Sequence, residues 1–423
     1  MSSDEDLKFN KRKVDFLPAD WHNATLREIS KDISYGYTAS AVYANVGPRF
    51  VRITDIVDGK INWDSVPFCK IGNIEKYKLS KGDIIVARTG ASTGANAIMD
   101  VREDAVFASY LIRFRIDESL VDPFFVGYIL KSHSWNRYIS SVISGSAQPG
   151  INAKQLSEFT LSFPKIEEQK AITKILTDLD EKIELNQQMN KTLEAIAQAI
   201  FKRRFIDFEF PNENGRPYKS SGGEMVDSEL GEIPKGWRIS KIDAEYDLVM
   251  GQSPPGKSYN DNGEGAVFFQ GRTDFGDRFP SVRLFCTMPK KYATKGDTLV
   301  SVRAPVGDIN MAFQDCSIGR GLAAILHKLK FQSYTYYFMK TMKQNFDTFE
   351  AKGTVFGSIT KTDFENIKII APTREVLHAF ETLVNPMDEK IEYNSHEIQS
   401  LSRIRSLLLP KLMTGKIRVP LES

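Results

Sequence analysis

Arginine, glutamine, serine and tyrosine recur in short glycine-containing stretches of the sequence: Ser34-Tyr35-Gly36-Tyr37-Thr38-Ala39-Ser40, Arg88-Thr89-Gly90-Ala91-Ser92-Thr93-Gly94, Gly251-Gln252-Ser253-Pro254-Pro255-Gly256, Arg303-Ala304-Pro305-Val306-Gly307 and Gly319-Arg320-Gly321. Arginine and glutamine hydrogen-bond base edges, while small hydroxyls and backbone amides take phosphates. Turn chemistry alone would explain any single loop, because glycine and serine permit tight bends. Their recurrence at corresponding places in both halves favours a shared contact role. The candidates for DNA contact are Tyr35, Tyr37, Ser40, Arg88, Thr89, Ser144 and Gln148 in the first half, and Gln252, Ser253, Gln270, Arg272, Arg303, Arg320 and Lys352 in the second.

Residues for bond-making chemistry are not arranged to perform it. There is no G-x-x-x-x-G-K-[ST] phosphate loop, no glycine-rich loop between a strand and a helix, and no Asn-Pro-Pro-aromatic sequence of an amino-methyltransferase. Glu168-Gln169-Lys170 mimics a nuclease E-x-K pattern, yet it opens a helix, where acidic residues favour the dipole. The five histidines (His22, His133, His327, His378, His396) form no cluster. Cys69, Cys286 and Cys316 lack a C-x-x-C pair and nearby histidines, so they read as buried apolar residues rather than zinc ligands or a disulfide framework. No catalytic residue, metal or bound cofactor is expected.

What must position these loops is visible as an internal repeat. Asp180-Glu181-Lys182-Ile183-Glu184 returns as Asp388-Glu389-Lys390-Ile391-Glu392, and the same offset relates Gly145 to Gly353, Ile151 to Ile359, Pro164 to Pro372, Asn186 to Asn394 and Leu193 to Leu401. Upstream the register drifts while the order survives: Leu17-Pro18-Ala19-Asp20-Trp21 answers Ile233-Pro234-Lys235-Gly236-Trp237, and Lys81-Gly82-Asp83 answers Lys295-Gly296-Asp297. Each half is a variable globular unit followed by a more uniform segment.

The uniform segments carry matching stripes at three- and four-residue steps. The seam residues are Leu179, Ile183, Asn186, Leu193 and Ile200 in the first, and Met387, Ile391, Asn394, Leu401 and Leu408 in the second. Two such stripes most simply bury each other, with the asparagines fixing register. Thr177 and Asn385-Pro386 look like caps, which predicts helices starting near 178 and 386. Gly415 supplies a C-terminal stop. Antiparallel pairing spares the chain a long return. The expected fold is α+β: two mixed α/β recognition domains joined by two long helices in an antiparallel coiled coil with pseudo-two-fold symmetry.

Within the globular units the best strand candidates are Ile84–Arg88, Leu111–Arg115, Thr298–Val302 and Leu322–Leu326, with helices around Tyr128 and Tyr337. The expected organisation is a first recognition domain at 15–162, a spacer helix region at 163–206, a linker at 207–232, a second recognition domain at 233–370 and a C-terminal spacer helix region at 371–415. A composition of 41% hydrophobic and 26% charged residues is that of a soluble globular protein. No stretch approaches the roughly 18–20 apolar residues of a membrane span, and the acidic start is unlike a signal peptide, so a cytoplasmic location is expected. A net charge of +2 neither requires nor forbids nucleic acid.

The plan of variable unit then helix, twice over, resembles the specificity subunits of type I restriction–modification systems. So do Phe163-Pro164-Lys165-Ile166-Glu167-Glu168-Gln169-Lys170, Leu179-Asp180-Glu181-Lys182-Ile183-Glu184-Leu185-Asn186, Phe205-Ile206-Asp207-Phe208, Ser228-Glu229-Leu230-Gly231-Glu232-Ile233-Pro234-Lys235-Gly236-Trp237 and Leu409-Pro410-Lys411-Leu412-Met413-Thr414-Gly415-Lys416-Ile417. The resemblance covers nearly the whole chain, apart from an N-terminal extension, Met1–Lys13, without a counterpart in the second half. It implies a non-catalytic subunit whose two target-recognition domains each bind one half of a bipartite, asymmetric DNA site. It further implies two modification subunits carrying S-adenosylmethionine, and restriction subunits using ATP and Mg. The alternatives are an orphan DNA-binding specificity protein and a coiled-coil scaffold that binds no DNA; the latter would explain the helices but not two heads with Arg- and Gly-rich loops.

Overall fold

Between Ile166 and Phe201 the sequence contains neither glycine nor proline. In the computed structural model, which describes residues 18–101, 103–143, 150–343, 345–346 and 357–420, this stretch is one unbroken helix of 36 residues. The second long helix, Arg374–Leu412, has 39 residues and runs through both Pro386 and Pro410. The expected starts near 178 and 386 are therefore corrected to Ile166 and Arg374. Pro386 removes one main-chain donor, at a cost of roughly 3 kcal/mol. Around it Phe380, Val384 and Ile391 are at most 1% exposed. Their burial, worth about 1.5–3 kcal/mol each, outweighs the loss and carries the helix through.

Contacts divide the chain into two units. The first joins the residues up to Glu184 with those from Gln399 onward, and the second is the continuous span Leu185–Ile398. Each contains a stretch of both long helices. In the second unit Asn186 Nδ2 donates to Glu397 Oε2 at 2.7 Å and Asn394 Nδ2 to Asn190 Oδ1 at 2.9 Å. The partner number falls as the helix number rises, so these stretches are antiparallel. In the first unit Arg405 reaches Asp180, while Ile172 and Leu176 share a core with Leu412 and Met413, in the same sense. Ile183, Asn186, Ile391 and Asn394 are buried as the seam predicts; Leu179, Leu193, Ile200, Met387, Leu401 and Leu408 are half-buried.

Each unit adds an antiparallel four-stranded sheet of one design. The strand order is Ser30–Tyr35, Leu111–Ile116, Ile84–Ala87, Asn96–Ile98 in the first unit, and Tyr246–Met250, Leu322–His327, Thr298–Ser301, Ile309–Met311 in the second. The two central strands of each sheet are the runs foreseen from sequence. They are almost wholly buried; Ile84–Ala87 and Leu322–Leu326 are accordingly apolar throughout, while Leu111–Ile116 carries Arg113 and Arg115, which are held by Asp32 and Asp83. Beside each sheet lies a parallel pair, Arg49–Val51 with Ala105–Phe107 and Ala266–Phe269 with Cys316–Ile318. All three cysteines are buried and free. Helices Pro123–Ile129 and Gln332–Thr341 occupy matching places and carry Tyr128 and Tyr337.

The recurrence of Asp180 to Glu184 at Asp388 to Glu392 has a packing cause. Tyr128 donates its hydroxyl to Asp180 Oδ2, and Tyr337 donates to Asp388 Oδ1, each at 2.9 Å. Glu184 pairs with Lys60 at 2.8 Å, and Glu392 with Lys295 at 2.6 Å. In each unit the motif docks a head onto a helix. The counter-cations differ: Arg405, from the other long helix, lies 2.5 Å from Asp180, whereas Arg278, from the second head, lies 2.8 Å from Asp388. An aromatic cluster completes the second unit, with Phe205 packed at ring separations of 5.0 Å from Tyr334 and 5.2 Å from Phe380.

Candidate nucleic-acid interface

Most candidate contact residues gather at one end of each four-stranded sheet, where the chain leaves the central strands. In the first unit Gly36 N–H donates to the Leu111 carbonyl, Tyr37 N–H to the Phe107 carbonyl at 2.8 Å, and Arg88 N–H to the Tyr110 carbonyl at 3.0 Å. Thr89 bridges to Gly150. The Tyr35 hydroxyl accepts from Ala153 N–H at 3.0 Å, and the Arg88 guanidinium lies 5.3 Å from the Tyr35 ring centre. Tyr35, Tyr37, Arg88 and Thr89 therefore form one edge. Ser40 is exposed a few residues beyond it. Tyr110, at 58% exposed, joins the edge and was missed from sequence; its only signal is an aromatic at the turn before a buried strand. Ser144 and Gln148 lie outside the described residues.

The second unit repeats this edge on the same backbone. Gly251 N–H donates to Leu322, Gln252 N–H to Ile318 and Val302 N–H to Gly321, and Arg303 bridges to Ser358. Gly36 and Gly251 match for a steric reason: a Cβ on either would stand 2.2 Å from a backbone oxygen, of Ala108 or Gly319. Val302, buried, matches Arg88, and Arg303 is the counterpart of Thr89. Ser253 Oγ accepts from Arg320 N–H at 3.5 Å. Gly319 and Gly321 run within about 3 Å of Gln270 at the Cβ positions they lack. Gln252, Ser253, Gln270, Arg303 and Arg320 thus come together. Gln252, Gln270, Arg303 and Arg320 are exposed, and neither guanidinium has an ion-pair partner among the described residues. Arg272 is different: its Nε lies 2.9 Å from Asp308 Oδ2, so its charge is already matched. Lys352 lies outside the described residues.

The arrangement offers hydrogen-bond donors, aromatic faces and unpaired arginines. Among the described residues no three His, Cys, Asp or Glu side chains are grouped to hold a metal ion. The E-x-K look-alike is consumed structurally. Glu168 is 5% exposed and takes both Nε and Nη2 of Arg418, at 2.6 and 2.7 Å, while Gln169 Oε1 accepts from Asp122 N–H at 2.9 Å. Among the described residues no helix is long and apolar enough to cross a membrane.

The sequence profile of the type I restriction modification DNA specificity domain matches residues 18–195 and 234–402, once for each copy of the repeat. The chain belongs to this family. It is 32% identical to a protein of Methanocaldococcus jannaschii named as the type I restriction enzyme MjaX specificity subunit, with 97% of each chain covered. It is 25% identical to the HindI specificity subunit of Haemophilus influenzae over 94% of this chain and all of that one. Among solved structures, the type I restriction–modification S subunit from M. genitalium shares the fold with a TM-score of 0.62 at 16% identity, over 93% of this chain and 96% of that one. As a specificity subunit, the chain reads DNA sequence.

Proposed function

We propose that each unit of this specificity subunit recognises one half of a bipartite, asymmetric DNA site through the loop edge of its four-stranded sheet. One observation carries the reading: the edge is repeated, but what it displays is not. Arg88, Thr89 and Tyr37 of the first unit stand where the second has Val302, Arg303 and Gln252. A common scaffold with unlike side chains suits two unlike half-sites.

The subunit does no bond chemistry itself. It positions two modification subunits, which carry S-adenosylmethionine and methylate adenine, and restriction subunits, which use ATP and Mg. Apolar side chains left outward on the long helices supply a partner face: Ile175, Ile404 and Leu407 in the first unit, and Leu185, Met189, Ile196, Leu383 and Tyr393 in the second, all at least 36% exposed. Rows of this kind mark interaction surfaces, whereas scattered single residues do not.

Co-expression with the modification subunit and mapping of genomic methylation tests the proposal. A two-part motif is expected, and grafting residues 15–160 into a related subunit should move one half-site alone. A graft that alters both half-sites, or methyl transfer by the chain without its partner, would overturn it.

A further inference from the structure

The internal repeat exposes an imbalance of charge. In the second unit Asp388 is matched by Arg278, and Lys340 is paired with Glu194 on the first long helix, so the head-to-helix junction is neutral. In the first unit Asp180 is matched by Arg405, and the counterpart of Lys340 is Lys131. The residue matching Glu194 is Ser402, which has no charge to give. The Lys131 ammonium consequently has no ion pair or hydrogen bond among the described residues; the side chain lies along Gly59, with the ammonium 5.3 Å from the Tyr128 ring centre. Burial disfavours its charged form.

Lys131 lines an open cleft of about 1000 Å³ within the first unit. Ile56, Ile139, Ile143 and Leu409 give it apolar walls, and Asn96 and Asn136 are among its polar groups. Lys60 on the rim is paired with Glu184; Asp58, also on the rim, is exposed and not within ion-pair distance of Lys131. Asp180 also lines the cleft, but its carboxylate is engaged by the Tyr128 hydroxyl and by Arg405. A cation at the wall of a cleft that could hold a side chain, where the sister unit places its own glutamate, is left to be matched by a carboxylate from outside.

Building on the reading above, we propose that this cleft receives an acidic side chain of the modification subunit, which pairs with Lys131 as Glu194 pairs with Lys340. Carbodiimide coupling joins a lysine amine directly to a carboxylate with loss of water, so it reads the pairing covalently. The full chain co-purified with its modification subunit is treated and the cross-linked peptides are sequenced, with Lys340–Glu194 as the internal positive control. A Lys131 bond to an aspartate or glutamate of the modification subunit is expected. Lys131→Glu should lower the co-purified modification subunit about tenfold at moderate salt, as reversal of a desolvated interface charge does. Ser402→Glu, which supplies the carboxylate from within, should lower it similarly while raising thermal stability.

A Lys131 bond to Asp58 or Asp180 alone would overturn the proposal. So would protection of Lys131 by a 30-base-pair duplex in the absence of the modification subunit, which would assign the cleft to a DNA phosphate. Undiminished co-purification of both variants would do the same. Methylation of a two-part motif by the wild-type complex is scored separately, so failure here leaves the DNA-reading assignment standing.

Discussion

Removing Arg278 from the second unit tests how its head is held on the helices. The guanidinium is 4% exposed, has its carbon 3.5 Å from the Tyr336 ring centre, places Nη2 2.8 Å from Asp388 Oδ1, and donates from Nη1 to the Tyr337 hydroxyl at 3.1 Å. Breaking a buried pair from one side strands the other charge, at a cost of about 3–5 kcal/mol. Arg278→Met should fall at the lower end, about 3 kcal/mol, because Tyr337 still donates to Asp388 and Lys340 still pairs with Glu194. For a unit of this size, each kcal/mol moves the midpoint by about 2–4 °C, so a drop of roughly 6–12 °C in its thermal transition is expected. Adding Asp388→Asn should recover about half of the loss, since no uncompensated charge then remains. Calorimetry on the full chain, with the two single variants and the double variant, closes the cycle. A loss under about 1 kcal/mol for Arg278→Met, or no recovery on adding Asp388→Asn, would refute the claim that charge matching holds this junction.

Arg303→Ala and Arg320→Ala should each weaken DNA binding by about 1–3 kcal/mol; a base contact will relax one position of the methylated motif, while a phosphate contact will flatten the salt dependence. Asn394→Leu leaves the half-buried side-chain carbonyl of Asn190 without its donor and should cost about 1 kcal/mol in urea unfolding, whereas Asn190→Leu with Asn394→Leu should be near neutral. His327 is 5% exposed, and its Nδ1 accepts from Leu329 N–H at 3.1 Å; burial holds its pKa below 6.5. The neutral ring is therefore the folded form. Its stabilisation is complete above about pH 6.5 and declines as pH falls through that value toward the lowered folded pKa, and His327→Gln should flatten this part of the unfolding profile between about pH 7.5 and 5.5.

The central strands and the paired helices were legible because one physical term dominates them. Ile84–Ala87 and Leu322–His327 are buried on both faces, and the seam around Ile183 and Ile391 is buried on one, so apolar pattern and structure coincide. The helix starts were not legible: Pro386 resembles a boundary in isolation, and only the packing of Phe380 and Val384 shows that the helix passes through it. The match of Arg303 to Thr89 was not legible because the repeat drifts upstream of residue 150; it shows only in the backbone hydrogen bonds. Asp180 and Asp388 were visible as repeated letters, but their work was not. Their tyrosines lie some fifty positions away, and their arginines come from different elements in the two units.

The division of the chain has a consequence for the order of synthesis. Leu185–Ile398 is uninterrupted, so the second unit has all its residues once Ile398 has been made. The first unit, begun earlier, is still missing the stretch from Gln399 onward. Until then Ile172 and Leu176 have no Leu412 or Met413 to pack against, and Asp180 has no Arg405. Arg418, which ties Asp20 to Glu168, is the last stitch. What is translated first therefore matures last, and at about 5–20 residues per second the incomplete first half waits on the order of ten seconds or more with its apolar helix face uncovered.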